Sequence, residues 1–217
     1  KENIRNHALE MLSISLLNLR SLKMKYILSF TLLLSLNQAS ELSIGSMMPE
    51  MGHRMKNING KNLTLSDAKG DVGTLVIFSC NTCPWVIKWE DRYVSITEAY
   101  SPKGIGVIAV NSNAARFSGD DSLEKMKKHS KKNKYNFPYV QDPGSKLAKA
   151  FGATKTPHIY LFDDKDRLVY RGAIDDNARS ANSVEEQFLS NAIDELIAGK
   201  PISKETTRAI GCSIKFQ

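Results

Sequence analysis

The sequence has few of the residues that hold small folds together covalently. It contains three cysteines among 217 residues, too few for a disulfide-stapled scaffold, so a hydrophobic core has to hold the fold. It has no arginine-rich patch interleaved with aromatic residues, and this absence argues against a nucleic-acid partner. With 41% hydrophobic and 24% charged residues, the composition is that of a globular protein and not of a disordered, collagen-like or multi-span membrane chain.

The excess of positive charge is small and unevenly distributed. The chain has 30 basic and 23 acidic side chains, which give a formal net charge of +7. Residues 1–40 hold five basic and two acidic side chains, so they account for +3 of this charge and the remaining residues for +4. A charge this close to neutral does not require a polyanionic partner.

The first forty residues differ in composition from the rest of the chain. Met24 and Lys25 precede an apolar run, Tyr26–Leu36, which polar and small residues follow at once. This order predicts a secretory signal peptide over residues 24–40, with a buried N-terminal helix as the alternative. We expect residues 1–23 to be an upstream extension that is either non-native or disordered.

The predicted signal peptide has two consequences for the mature chain. Because such a peptide directs export, we expect a periplasmic or secreted protein. The apolar run is also much shorter than the roughly 20 residues that span a bilayer. We therefore expect no integral membrane span in the mature chain.

Residues 41–217 are predicted to form one α/β domain, because short apolar strands alternate with helical segments and no repeat or long linker separates them. The predicted strands are Leu75–Ser79, Gly106–Val110, His158–Phe162 and Leu168–Arg171. The predicted helices are one that begins at Trp85, then Asp121–Lys134, Lys146–Phe151 and Glu185–Ala198.

Cys80 and Cys83 lie where the first of these strands gives way to a helix. Residues three apart in a helix share a face, so the two sulfurs can meet as a disulfide. We place Cys80 near the helix N-terminus, where free backbone N–H groups and the helix dipole lower a thiol pKa. Cys80 is then the nucleophile that forms a mixed disulfide with a substrate, and Cys83, one turn deeper, resolves it.

Three other interpretations of the pair compete with redox chemistry. A structural disulfide across so short a loop would stabilise the fold little. Zinc usually takes four ligands, and a second cysteine pair is absent. The two thiols could also be buried and unreactive. A redox pair is favoured because the motif follows a buried strand and opens a helix.

Several short motifs occur in order along the mature chain. They are Phe78–Pro84, Asn136–Tyr139, Ala153–His158, Tyr160–Asp163, Tyr170–Asn177 and Gly211–Phe216. On these segments, residues from about 44 to 217 resemble the thioredoxin-like redoxin family, grouped with alkyl hydroperoxide reductase and thiol-specific antioxidant (AhpC/TSA) proteins. The resemblance implies a thioredoxin fold, in which helices flank a central mixed β-sheet, and an oxidoreductase or antioxidant activity. It also implies that Thr156-Pro157 is a cis-proline element whose exposed backbone pairs with an extended substrate chain.

The group contains both peroxidases and disulfide reductases, and the sequence departs from the peroxidase pattern. Typical peroxiredoxins carry Pro and then Thr ahead of one attacking Cys, which Pro follows. Aligning that Cys with Cys83 puts Cys80 at the Thr position and Val76 at the Pro position, so the hydroxyl that orients peroxide is missing. The motifs assign no arginine that would hold a peroxide, and Arg171 is only a guess. We therefore expect a thiol-disulfide oxidoreductase, with an antioxidant peroxidase of the same family as the alternative.

Two further residues are candidates for the site. Cys212 is either an additional redox thiol or a small buried apolar residue. His158 follows Pro157, and together with Cys80 and Cys83 it would form a soft ligand set for copper. Copper chaperones of thioredoxin fold space their cysteines by three residues and not by two, so the metallochaperone is the second alternative and we expect no metal.

The expected partners follow from the chemistry of the pair. A dithiol exchanges with protein thiols and disulfides or with a small thiol reductant. Peroxide is the substrate in the first alternative. None of these reactions needs a cofactor, and we expect none.

Overall fold

The computed structural model of the chain describes residues 40–217. The expected upstream extension (residues 1–23) and the expected signal peptide (residues 24–40), apart from its last residue, lie outside this range and stay predictions. Within the described residues, no helix is both long enough and apolar enough to cross a membrane.

Residues 40–217 form nine strands and four α-helices, joined by loops and single-turn helices. The strands are β1 (Met55–Asn57), β2 (Asn62–Leu63), β3 (Gly73–Ser79), β4 (Ile105–Asn111), β5 (Tyr139–Gln141), β6 (Lys155–Thr156), β7 (His158–Asp163), β8 (Leu168–Gly172) and β9 (Cys212–Ser213). The helices are α1 (Pro84–Tyr100), α2 (Leu123–Lys132), α3 (Lys146–Phe151) and α4 (Phe188–Ile197). Every strand and helix predicted above is present, and the structure adds β1, β2, β5, β6 and β9.

Seven of these strands form one mixed sheet in the order β2-β1-β5-β4-β3-β7-β8. The central strand β3 runs parallel to β4 and antiparallel to β7, so that Phe78 lies opposite Val110 on one side and opposite His158 on the other. The remaining two strands, β6 and β9, pair with each other, with Thr156 opposite Cys212. The predicted central mixed sheet flanked by helices is confirmed.

The central strand β3 is buried along its whole length. Successive side chains of a strand point to opposite faces. Leu75 and Ile77 therefore belong to the core on the side of α1 and α4, whereas Val76 and Phe78 belong to the core on the side of α3. A strand covered on both faces is mostly apolar, and β3 leads directly into Cys80.

The second helix begins later than its polar pattern predicts. Ser122 is its N-cap, and the Ser122 side chain accepts a hydrogen bond from the N–H of Lys125 at 3.4 Å. A serine at this position satisfies one of the free N–H groups of the first turn. Asp121 is therefore left outside the helix, where it is fully buried.

Candidate active site

The cysteine pair lies between β3 and α1. Cys80 directly follows the last residue of β3, and Cys83 is the N-cap of α1, with Pro84 as the first helical residue. Both thiols are free, and only 2% of Cys80 and 3% of Cys83 are exposed. The prediction that the two cysteines share a helical face is wrong, because both precede the helix. Pro84 favours this start, since its missing N–H has no helical partner at the first position.

Several neighbours affect the charge of the Cys83 sulfur. The Cys80 thiol is the main influence that favours its thiolate form, and the Cys212 thiol and the backbone N–H groups of Val86 and Cys212 act in the same direction. Together they outweigh the effect of burial and lower the pKa of Cys83 to about 4. Neighbouring donors have this effect because they stabilise the negative charge of a thiolate more than they stabilise a neutral thiol. The Thr156 C=O lies 3.1 Å from the sulfur and accepts from the Cys83 thiol when it is protonated. This contact favours the thiol, whereas the neighbouring groups together favour the thiolate.

Cys80 has the opposite environment. Its thiol donates to Cys83, is buried, and faces the carboxylate of Asp121, and all three effects raise its pKa. The Thr156 hydroxyl, whose Oγ1 lies 3.4 Å from the Cys80 sulfur, counteracts them only in part. The prediction of a helix-stabilised thiolate at Cys80 is therefore wrong. The lowered pKa of the pair is that of Cys83, chiefly because the Cys80 thiol favours a negative charge on the Cys83 sulfur.

Asp121 holds the loop that carries Cys80. Its carboxylate accepts from the Asn81 N–H at 3.0 Å, and from the side-chain amides of Asn111 at 2.8 Å and Asn113 at 2.9 Å. All four residues are buried, so these bonds are shielded from water. Sequence reasoning missed Asp121, because its partners come from two other segments of the chain and leave no local pattern around it.

The Thr156-Pro157 peptide bond is cis, as predicted. The Thr156 hydroxyl and C=O contact the sulfurs of Cys80 and Cys83, respectively, so the structure brings this element and the pair together. The prediction that the Thr156 backbone is exposed is wrong. Thr156 is 1% exposed, because Cys212 of β9 pairs with it.

A cavity of about 150 Å³ lies beside the pair. All three cysteines line it, together with the cationic side chains of Arg116 and Lys215. Neither cation was singled out from the sequence, since both are far from the cysteine motif along the chain. Cys212 is partly exposed, lines this cavity and packs against the edge of the core.

Arg171 and His158 lie away from the cavity. Arg171 forms an ion pair with Glu41, so the suggestion that it holds a peroxide is wrong. His158 packs on Tyr160, with ring centroids 4.6 Å apart. Within residues 40–217, His, Cys, Asp and Glu side chains do not gather in groups of three or more that could hold a metal. The structure therefore does not bring His158 and the cysteine pair together in the way that the metallochaperone alternative requires.

The buried His158 leads to a prediction about stability and pH. Burial lowers the pKa of His158 from 6.5 to about 4, so the folded protein holds a neutral imidazole where the unfolded chain binds a proton. The contribution of the neutral His158 to the free energy of unfolding is complete above pH 6.5 and is lost as the pH falls toward 4. We expect a loss of about 3 kcal/mol over that range, measured by urea unfolding.

Other groups also titrate over this range, so the test compares two proteins. His158→Gln removes the titrating group, and its free energy of unfolding should fall less steeply with decreasing pH than that of the parent. Equal slopes would show that His158 does not control acid stability.

The chain is similar to several proteins of known structure. No curated protein matches the chain. An uncharacterised conserved protein from Geobacillus kaustophilus is 36% identical to this chain and superimposes with a TM-score of 0.74. The match covers 81% of this chain and 93% of the Geobacillus chain. A hypothetical protein from Sinorhizobium meliloti 1021 is 31% identical over 82% of this chain and 97% of its own, with a TM-score of 0.75.

A more distant structure carries a functional name. The thioredoxin domain of a thiol-disulfide oxidoreductase from Bacteroides vulgatus is 23% identical over 61% of this chain and 90% of its own, with a TM-score of 0.52. At that identity the likeness shows the fold alone. The Redoxin family model matches residues 43–188, most of the described chain, and the protein therefore belongs to the Redoxin family of thioredoxin-like redox proteins.

Proposed function

We propose that the protein is a thiol-disulfide oxidoreductase in which Cys80 and Cys83 cycle between dithiol and disulfide. The observation that carries the proposal is the position of the two cysteines directly before helix α1, where both sulfurs contact Thr156, Cys80 at the hydroxyl (3.4 Å) and Cys83 at the C=O (3.1 Å). A reactive thiolate and a neighbouring thiol that resolves its product are what disulfide exchange needs.

The pKa values reverse the roles that the sequence suggests. In our proposal the Cys83 thiolate attacks a substrate disulfide, so that a Cys83–substrate disulfide forms and the first substrate sulfur leaves. Cys80 then attacks the Cys83 sulfur, closes the Cys80–Cys83 disulfide and gives its proton to the second leaving sulfur. Two electrons pass from the protein to the substrate, and the reverse sequence oxidises a substrate dithiol.

Thr156 and Pro157 form the substrate-binding part of the proposal. Thr156 contacts both sulfurs of the pair, so a substrate chain that replaced β9 at its backbone would bring its own sulfur to Cys83. The partners that suit this arrangement are protein thiols and disulfides or a small thiol reductant. The segment over residues 24–40 supports a periplasmic or secreted location, where such exchange maintains disulfides.

Trapping of the mixed disulfide tests the assigned roles. In a Cys212→Ser background, which removes the third thiol, Cys80→Ser should accumulate a stable adduct with oxidised glutathione, seen by intact mass. Cys83→Ser should form it far more slowly at neutral pH. The background protein, with both cysteines intact, should pass through the adduct to an internal disulfide. An adduct that accumulates in Cys83→Ser instead would return the attacking role to Cys80.

A peroxidase of the same family is the second candidate function. Arg116 favours it, because this residue lines the cavity with Cys83 and a guanidinium can hold the oxygen of a peroxide. The rate at which hydrogen peroxide oxidises the reduced protein separates the two functions. A rate near that of free cysteine supports exchange, whereas a rate orders of magnitude higher, lost in Arg116→Met, supports the peroxidase.

A further inference from the structure

Strand β9 occupies the place where the proposed function needs a substrate chain. It runs antiparallel to β6, with Cys212 opposite Thr156, and the Ile214 N–H donates to the Thr154 C=O at 2.9 Å. An extended substrate that adds a strand here would use the same backbone edge. The chain's own C-terminal segment therefore already lies where such a substrate would bind.

The segment fits this place closely. Gly211 has no side chain, and a Cβ atom there would lie 2.2 Å from the Thr156 oxygen and 3.2 Å from the Pro157 nitrogen. A residue other than glycine would force these backbones apart. On the other side of β9, Ile214 is buried in the core. Cys212 is thus held from both sides and does not need to move to reach the pair.

Cys212 lies beside the sulfur that the proposed function makes reactive. Both residues line the same cavity, and Cys212 pairs with Thr156, whose C=O lies 3.1 Å from the Cys83 sulfur. The Cys212 thiol also contributes to lowering the pKa of Cys83. The three thiols differ in access, because Cys80 and Cys83 are buried and Cys212 is partly exposed.

We propose that Cys212 is a third redox thiol that carries the disulfide from the buried pair to an external thiol. The proposal rests on the redox function of the pair. In the oxidised protein the Cys212 sulfur attacks Cys83, so that a Cys83–Cys212 bond forms and the Cys80–Cys83 bond breaks. The electron pair of the broken bond goes to Cys80, which takes the proton that Cys212 loses.

An external thiol completes the transfer. Its thiolate attacks the more accessible Cys212 sulfur, which frees Cys83 as a thiolate and leaves the external group bound to Cys212. A second external thiol attacks that mixed disulfide and restores the Cys212 thiol. In total two external thiols become one disulfide, and the protein gains two electrons and returns to its reduced form.

Mapping of the bond tests the proposal directly. Trypsin cuts after Lys69, Lys88, Arg208 and Lys215, so Cys83 and Cys212 lie on separate peptides, residues 70–88 and 209–215. The full-length Cys80→Ser variant, oxidised with oxidised glutathione, should give these two peptides linked by a disulfide. Gly211→Val, added to it, displaces β9 and should abolish the link. Glutathione adducts without any link would overturn the proposal.

The rate of reduction provides a second readout. Reduction of the oxidised protein by dithiothreitol should be about tenfold slower in Cys212→Ser, because access of the attacking thiolate limits exchange. Ser213→Ala, a change at the next position of β9, should leave the rate unchanged. If Cys212→Ser oxidises to the internal disulfide and is reduced at the parental rate, the proposed role of Cys212 is wrong but the proposed function of the pair stands. If the Cys80–Cys83 disulfide never forms, the proposed function itself fails.

Discussion

Alkylation of the reduced protein by iodoacetamide is expected to proceed at nearly the same rate at about pH 5 and about pH 8. The pKa of Cys83 is lowered to about 4, so its thiolate is present throughout this range and is lost only below it. A free thiol with a pKa near 8.5 slows by several hundredfold over the same interval, since only its thiolate reacts.

The shape of the pH profile is the informative quantity, more than the absolute rate. A thiolate of low pKa is intrinsically a weaker nucleophile, and Cys83 is only 3% exposed. Its alkylation rate relative to free cysteine therefore depends on nucleophilicity, on burial and on the thiolate fraction. Burial and nucleophilicity act equally at each pH and cancel within one protein. The profile therefore reports the thiolate fraction alone.

Variants at Cys80 identify which donor holds the thiolate. The Cys80 thiol is the strongest single cause of the lowered Cys83 pKa. Cys80→Ala removes this donor and should move the fall in rate to a higher pH, whereas Cys80→Ser keeps a hydroxyl donor and should move it less. Cys83→Ser should abolish the pH-independent reaction. If that reaction survives in Cys83→Ser and is lost in Cys80→Ser, the thiolate belongs to Cys80, as the sequence first suggested.

The sequence predicted the central elements of the fold because their signals are local. The apolar run Leu75–Ser79 reads as a buried strand, and the structure buries all of β3. The missing elements are short strands whose existence depends on distant partners. β6 and β9 have two residues each, too few for a periodic pattern, and pair across more than fifty positions of the chain. Local propensity carries no information about such pairs.

The sequence predicted which residues form the candidate site but not which of the two cysteines has the lowered pKa. The cysteine pair, Thr156, Pro157 and Cys212 meet as the sequence suggested. The error concerned where the helix begins, although Pro84 contained the signal, because proline favours the first helical position and so makes Cys83 the cap. Asp121 and Arg116 could not be found, since the fold alone brings them to the cysteines.

The largest effect on stability is expected from Asp121→Asn. The carboxylate is fully buried and accepts three hydrogen bonds, one from the Asn81 N–H and two from the amides of Asn111 and Asn113. An asparagine can present one oxygen, but its NH₂ group would face a donor. Because buried donors left unpaired each cost about 1–3 kcal/mol, we expect a loss of about 2–4 kcal/mol in the free energy of unfolding. Urea unfolding measures it.

The neighbouring aspartate provides a matched control. The same substitution can be made at Asp120, one residue away. The Asp120 side chain is half exposed and pairs with Lys125 at the surface. Asp120→Asn should therefore change stability by about 0.5 kcal/mol or less. Equal losses in the two variants would contradict a special role for the buried carboxylate.

The same variant separates a purely structural role from an electrostatic one. The Asp121 charge is one of the causes that raise the pKa of Cys80. Asp121→Asn removes this charge, so alkylation of Cys80 in a Cys83→Ser, Cys212→Ser background should begin at a lower pH, whereas Asp120→Asn should leave the onset unchanged. A carboxylate that only anchors the loop would lower stability without moving the onset. If both quantities change, Asp121 holds the loop in place and also keeps Cys80 protonated until Cys83 has reacted.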